Sequence, residues 1–181
     1  SLDALQRMID ERVRLIALTY LPANGGLINP AAEVGRIARK AGALYMIDAC
    51  QAVGQLPVDV QALGCDFLNA SGRKFLRGPR GTGLLYARRS TLEQTQPAVV
   101  DTLSAPWAPN APYTLRADAR RYETAEASLA LRIGLGEAVR YALALGIENI
   151  WARIKELSGY LRERLSRMEG ITVRDLGDQR S

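Results

Sequence analysis

The first half of the chain alternates short apolar segments with segments whose apolar residues recur at helical spacing, and this alternation restricts the fold most strongly. Apolar, β-compatible segments cover residues 14–20, 43–47, 66–70 and 81–87. Helical patterns cover residues 1–11, 31–41 and 60–63, and Gly42 and Gly64 follow the last two as natural helix ends. Strands that alternate with helices along a chain form a parallel sheet. We therefore predict an α/β fold with a mainly parallel sheet flanked by helices.

The second half of the chain begins with a polar stretch and then becomes helical. Residues 90–121 are polar and contain several prolines, which predicts a long surface loop. Helices are predicted over residues 124–145 and 147–168, ended by Gly146 and Gly170, and residues 171–174 have the pattern of a starting strand. The chain begins within a helix and stops as a β segment starts. We therefore expect an incomplete fold, a fragment of a longer protein.

Composition excludes several kinds of chemistry. The 181 residues include no histidine and only two cysteines, Cys50 and Cys65, which excludes histidine bases, Ser-His-Asp triads and disulfide frameworks, and we expect no metal site. The chain has neither an apolar run near the roughly 18 residues of a membrane span nor a secretion signal, so a cytoplasmic protein is expected. The net charge is +5, but the arginines are dispersed along the chain, so nucleic-acid binding is not expected.

Lys74 is the first candidate for chemistry. It lies in S-G-R-K-F-L-R-G-P-R-G-T-G, directly after the third predicted strand. A lysine amine becomes nucleophilic in a partly desolvated or cation-rich setting, and Arg73, Arg77 and Arg80 supply such a field. The motif taken alone is equally compatible with a basic surface loop.

Asp48 is the second candidate, because it ends the apolar segment A-L-Y-M-I. A carboxylate at that point needs a partner. One such partner is the ring nitrogen of pyridoxal phosphate (PLP), which an acid keeps protonated; the alternative is a strand-end aspartate that caps the following turn. Gln51 offers an amide to the same face, and Ser71 and Arg73 offer a hydroxyl and a guanidinium to a phosphate.

The joint pattern resembles a known family. Residues 45–74 read Y-M-I-D-A-C-Q-A-V-G-Q-L-P-V-D-V-Q-A-L-G-C-D-F-L-N-A-S-G-R-K, which is similar to class V aminotransferases and cysteine desulfurases. The similarity continues back through P-A-N-G-G-L-I-N-P and forward through G-P-R-G-T-G-L-L-Y to about residue 146. It implies the large PLP-binding domain of fold type I, with residues 1–146 as its central part. Residues 147–181 are then a helix and strand that begin the C-terminal small domain.

The resemblance also implies roles for individual residues. Lys74 is expected to be the Schiff-base lysine and Asp48 the partner of the ring nitrogen. Gln51 is expected to contact the ring hydroxyl, Ser71 and Arg73 the phosphate, and Asn24 the cofactor or substrate. Cys50 is expected to be a small packing residue. The family implies an amino acid as substrate and a homodimer for the full-length protein.

Departures from the family pattern favour a PLP-dependent aminotransferase or related lyase over a cysteine desulfurase. Arg73 stands where desulfurases usually have histidine, and their persulfide-forming cysteine falls beyond Ser181. Tyr20 stands where many relatives have histidine in the loop after the first strand. Two alternatives stay open: a non-catalytic α/β module that binds phosphate or nucleic acid through its basic loop, and a fragment that is inert by itself.

Overall fold

The structure of the protein is a computed structural model that describes residues 1–175. Its strands are β1 (Leu15–Thr19), β2 (Leu44–Asp48), β3 (Phe67–Ser71) and β4 (Gly83–Ala87). Its helices are α1 (Leu2–Met8), α2 (Ala31–Ala41), α3 (Val60–Leu63), α4 (Arg89–Leu92), α5 (Leu129–Leu145) and α6 (Ile147–Ser166), with a 3₁₀ turn at Ala119–Tyr122.

The strands form one sheet in the order β1-β2-β3-β4. The β1–β2 and β2–β3 pairs are parallel, whereas β3 and β4 are antiparallel. Residues 72–82 contain no crossover helix, so the chain returns beside β3 in the opposite direction. The predicted α/β fold with a mainly parallel sheet is confirmed.

Local signals explain why the short helices end where the sequence predicts. Gly42 follows α2 in the left-handed conformation (φ 68°) and its N–H reaches the carbonyls of Ala38 and Arg39. The Asp59 carboxylate accepts the N–H groups of the first turn of α3, and Gly64 ends that helix with φ 66°. The predicted bounds of both helices are confirmed.

The core lies on one face of the sheet, between the sheet and helices α2 and α3. Ile16, Tyr45, Ile47 and Leu68 point to this side and are each at most 8% exposed. The Tyr45 hydroxyl donates to the carbonyl oxygen of Ala31 at 2.9 Å, which ties β2 to the first turn of α2. This face of the sheet is therefore the one packed against the helices.

The opposite face carries the polar strand ends. Asp48 is paired in register with Thr19 of β1 and with Asn69 of β3, so the three side chains share one face. Asp48 and Asn69 are half-buried and Thr19 is exposed. The carboxyl ends of the parallel strands thus present a polar row.

The second half of the chain differs from the prediction in three places. Helix α5 begins at Leu129, not at residue 124, because the Ser128 side chain caps it by accepting the N–H of Leu131. Residues 171–175 form no strand, since no described strand lies beside them to pair with. The 90–121 stretch is partly buried at Thr91, Leu92, Ser104 and Ala105, so it is not purely a surface loop.

Helices α5 and α6 are the longest in the described part of the chain. No helix within residues 1–175 has the length and apolar character that crossing a membrane requires. The last part of the predicted second domain, residues 176–181, lies outside the described residues.

Candidate functional site

Asp48 ends β2 at the carboxyl edge of the sheet. Its carboxylate accepts the backbone N–H of Cys50 at 2.9 Å, which fixes the turn that follows the strand. Hydrogen bonds to both neighbouring strands hold the backbone here. The Asp48 carbonyl accepts from Tyr20 N at 2.9 Å, and the N–H of the next residue, Ala49, donates to Asn69 O at 2.9 Å. The half-buried carboxylate therefore has a defined position.

Lys74 follows the adjacent strand, β3, in a loop that closes on itself. Gly72 N donates to Thr82 O at 2.9 Å, and Gly78 N donates to Gly72 O at 2.8 Å. Arg77 N donates to Lys74 O at 2.9 Å, and Arg77 itself adopts φ 60°. Hydrogen bonds therefore hold the backbone on both sides of Lys74, whose side chain is half-buried.

The Cys50 thiol shows that the two strand ends meet. Burial raises its pKa, and the neighbouring Asp48 carboxylate, which favours the protonated thiol, raises the pKa further. The N–H of Ser71 and the positive charge of Lys74 act in the opposite direction. The charges of Asp48 and Lys74 and the N–H of Ser71 thus all act on the Cys50 thiol.

Close contacts brace the lysine loop from two directions. A Cβ on Gly54, which has φ +88°, would lie 2.7 Å from Leu76 N, so the turn after β2 touches the loop backbone directly. On the other side, Leu135 of α5 lies 2.8 Å from the Cβ position of Gly72. The Thr82 hydroxyl donates to Pro79 O at 2.6 Å and closes the loop. At Gly54 an added Cβ would meet backbone atoms, so only glycine fits there without moving the loop.

Three other predicted site residues lie in the segments around this edge, and no hydrogen bond joins their side chains to Asp48 or Lys74 in the described part of the chain. Gln51 is half-buried in the turn after Asp48, and its carbonyl accepts from the Gln55 side chain at 2.8 Å. Arg73 is exposed beside Lys74. Asn24 is exposed in the loop after β1, and among the described residues no hydrogen bond joins it to Asp48 or Lys74. Their roles stay predictions.

The Tyr20 backbone is at this edge, where its N–H donates to Asp48 O at 2.9 Å, but its side chain packs toward the core. It packs against the core, where burial and then the charge of Glu33 raise its pKa. The expectation that Tyr20 does not take the role of the histidine of many relatives stays a prediction.

Sequence reasoning missed Asn69. Its Nδ2 donates to the Cys50 sulfur at 3.5 Å, and its Oδ1 is buried with no hydrogen-bond partner among the described residues. The available signal was a single polar side chain inside the apolar strand F-L-N-A-S. A buried oxygen without a partner is costly unless a ligand or water supplies a donor.

The donor set fits PLP. A carboxylate, a lysine amine, a hydroxyl and a guanidinium follow two adjacent strands, and they complement the ring nitrogen, aldehyde and phosphate of the cofactor in charge. The unpartnered Asn69 oxygen lies beside this group. Within residues 1–175, no group of three His, Cys, Asp or Glu side chains is placed to hold a metal ion.

This arrangement is that of an α/β domain in which a carboxylate and a lysine amine lie near the carboxyl edge of the parallel strands. Comparison with known proteins identifies the family, because the model of "Aminotransferase class-V" matches residues 1–181. The chain therefore belongs to the class V aminotransferase family. The predicted family and fold type, and PLP as the cofactor of the family, are confirmed.

The chain is also similar to named relatives and to solved structures. The chain is 36% identical over 178 residues to a probable cysteine desulfurase of Mycobacterium leprae, covering 96% of this chain and 41% of the relative. It is 28% identical to the apo cysteine desulfurase of Thermococcus onnurineus (TM-score 0.82; 92% and 41% covered). It also shares its fold with a C-DES variant that has glycine covalently linked to PLP (24% identity; TM-score 0.85; 93% and 46% covered). The chain thus spans about two fifths of the length of these relatives.

Proposed function

We propose that this chain is the central, PLP-binding part of an enzyme that acts on an amino acid, an aminotransferase or a related lyase. The observation that carries the proposal is that Asp48 and Ser71 end the adjacent parallel strands β2 and β3, with Lys74 in the loop directly after β3. Ligands of α/β sheets bind beyond these ends. Cysteine desulfurase is the second candidate, because the relatives carry that name.

Each site residue has a proposed part. Lys74 would hold PLP covalently and, once a substrate amine displaces it, would move the proton at the substrate α-carbon. Asp48 would keep the proton on the ring nitrogen, and Gln51 would donate to the ring hydroxyl. When bound, PLP withdraws electrons from the α-carbon and weakens its bonds.

The remaining contacts are proposed as follows. Ser71 and Arg73 would bind the phosphate, since a hydroxyl and a guanidinium both donate to phosphate oxygens. Asn24 would lie on the substrate side. We further propose that residues 1–146 belong to the large domain, that residues 147–181 begin the small domain, and that the full-length protein is a cytoplasmic homodimer.

A covalent labelling experiment tests the proposal. The sequence contains three lysines, Lys40, Lys74 and Lys155. After incubation with PLP and reduction with borohydride, peptide mass spectrometry should find the modification on Lys74. The Lys74→Ala variant should lose the visible absorption band and the adduct, whereas Lys40→Ala, on the far helix α2, should keep both.

The alternatives give different results. An adduct spread over Lys40 and Lys155 as much as over Lys74 would contradict the assignment. Absence of any adduct, together with salt-sensitive binding of an oligonucleotide, would favour the non-catalytic module. With an adduct in place, release of sulfide and alanine from cysteine would identify a desulfurase, and conversion of an amino acid to its 2-oxo acid would identify an aminotransferase.

A further inference from the structure

Helix α5 packs along the lysine loop. The Cβ position of Gly134 lies 2.9 Å from Pro79 Cγ, so the helix approaches the loop closely at this point. Leu135 Cδ1 lies 2.8 Å from the Cβ position of Gly72 and 2.9 Å from that of Gly78. Leu135 therefore fills the space beside the two glycines whose hydrogen bond, from Gly78 N to Gly72 O at 2.8 Å, closes the loop.

The contact continues less than two turns further along α5, at Tyr141. The guanidinium carbon of Arg77 lies over the Tyr141 ring, 4.9 Å from its centre. The residues next to this pair are packed as well, because Leu76 and Ala142 are buried and line the same apolar cavity. Tyr141 itself is 57% exposed, so its ring contributes to the contact with Arg77 and not to the core.

Arg77 adopts a backbone conformation that needs support from its surroundings. Its φ of 60° lies in the left-handed region, and no other non-glycine residue in the described part of the chain has a positive φ. A residue with a Cβ is disfavoured there, and such strain persists only where the surrounding contacts fix it. Arg77 has two such contacts, since its N–H donates to Lys74 O at 2.9 Å and its guanidinium lies on the Tyr141 ring.

A tight turn links this conformation to the lysine. The hydrogen bond from Arg77 N to Lys74 O closes a four-residue turn that begins at Lys74. Rotation of Arg77 out of the left-handed region would redirect its N–H and release the Lys74 carbonyl. A ring that holds Arg77 consequently also holds the backbone from which the half-buried Lys74 side chain extends.

We propose that Tyr141 is a positioning residue for Lys74: its ring holds Arg77 in the left-handed conformation and thereby keeps the lysine loop against α5. The inference rests on the proposed function, in which the Lys74 amine forms the bond to the cofactor. Tyr141 touches neither the cofactor nor the substrate in this scheme. Its effect reaches Lys74 only through Arg77.

Hydrogen exchange in the full-length protein without cofactor measures whether the ring holds the loop. Tyr141→Leu should accelerate exchange of the Arg77 and Gly78 amides about two- to fivefold, the range that an exposed cation–π contact supplies. Tyr141→Phe retains an aromatic face and should exchange as the wild type does. Tyr160→Leu is the matched control, because Tyr160 is exposed to a similar degree on the other long helix, α6, and its loss should leave the loop amides unchanged.

The amide of Ala49 is the internal reference in the same samples. It donates to Asn69 O at 2.9 Å within the sheet, so its exchange should stay equally slow in all variants. Unchanged exchange of the loop amides in Tyr141→Leu would overturn the inference. Equal acceleration of Ala49 and the loop amides would overturn it too, because the whole fold would then have loosened and not the loop alone.

The second experiment measures the effect on the loaded protein. The rate at which the visible absorption band of the PLP adduct appears should fall by up to about fivefold in Tyr141→Leu and return in Tyr141→Phe. Equal rates in the wild type and Tyr141→Leu would overturn the inference while the adduct on Lys74 stands. Failure of the wild type to form that adduct would instead overturn the proposed function, and the inference with it.

Discussion

Gly54→Ala is a sharp test of how the lysine loop is positioned. Gly54 lies in the turn that follows Asp48, with φ +88°. An added Cβ would lie 2.7 Å from Leu76 N and Phe75 C and 2.9 Å from Phe75 O. All three are backbone atoms of the loop just after Lys74, so no side chain can rotate to relieve the contact.

The expected cost has two parts. A left-handed conformation costs a residue with a Cβ about 1–2 kcal/mol. Displacement of the loop backbone by the new methyl group adds about 1–3 kcal/mol, the range for overpacking in a closely packed region. We therefore expect a loss of about 2–5 kcal/mol in the free energy of unfolding.

Gly42→Ala is the matched control. Gly42 also has a positive φ, +68°, but its Cβ position has no atom within 4 Å. This variant should lose only the conformational part, about 1–2 kcal/mol. The difference between the two variants therefore isolates the contact with the lysine loop.

Urea or thermal unfolding measures these losses, and the yield of borohydride-reduced PLP on Lys74 measures the position of the amine. Gly54→Ala should lower the melting temperature by roughly 4–20 °C, at roughly 2–4 °C per kcal/mol for a chain of this size. It should also lower the adduct yield at limiting PLP, whereas Gly42→Ala should leave the yield unchanged. Equal stability losses in both variants would refute the claim that Gly54 braces the loop.

Two further predictions concern the core and the long loop. Tyr45→Phe should lower the free energy of unfolding by about 1–2 kcal/mol, because the buried Ala31 carbonyl loses its donor. Tyr160→Phe, on the exposed face of α6, should change this free energy little. Denaturant titration measures both variants. The hydrogen bond from the backbone N–H of Ala125 is the main reason that the pKa of Asp101 lies below its usual 3.8. This contact therefore stabilises the fold above pH 3.8, and the stabilisation is lost as the pH falls through the lowered pKa. Hydrogen exchange of the Ala125 amide should accelerate on acidification in the wild type, relative to a peptide reference, and not in Asp101→Asn.

The elements that the sequence predicted well have strong local signals. The ends of α2 and α3 depend on left-handed glycines and on the Asp59 cap, which are properties of a few adjacent residues. The predicted strand over 171–174 had only an apolar pattern behind it. A strand needs a neighbour for its backbone hydrogen bonds, and residues 171–175 have none beside them. Pattern alone was therefore insufficient.

In the candidate site, too, some residues follow from local sequence patterns and others depend on tertiary contacts. The positions of Asp48 and Lys74 were predictable because Asp48 ends β2 and Lys74 comes soon after β3, and parallel strands bring their carboxyl ends to one edge. Asn69 was not predictable, because its side chain joins the site only through the register that pairs it with Asp48. The bracing of the loop by Gly54 likewise depends on a tertiary contact that no local pattern encodes.

The two cysteines bear on which reaction the protein supports. A sulfur-accepting thiol must reach the substrate and ionise readily. Burial is the main cause of a raised pKa at both Cys50 and Cys65, and Cys65 is also fully buried. The Cys50 sulfur accepts from Asn69 Nδ2 at 3.5 Å, so turning it toward a substrate would break this contact. A desulfurase built on this chain would therefore need a thiol from outside these 181 residues, whereas transamination by Lys74 needs no thiol at all.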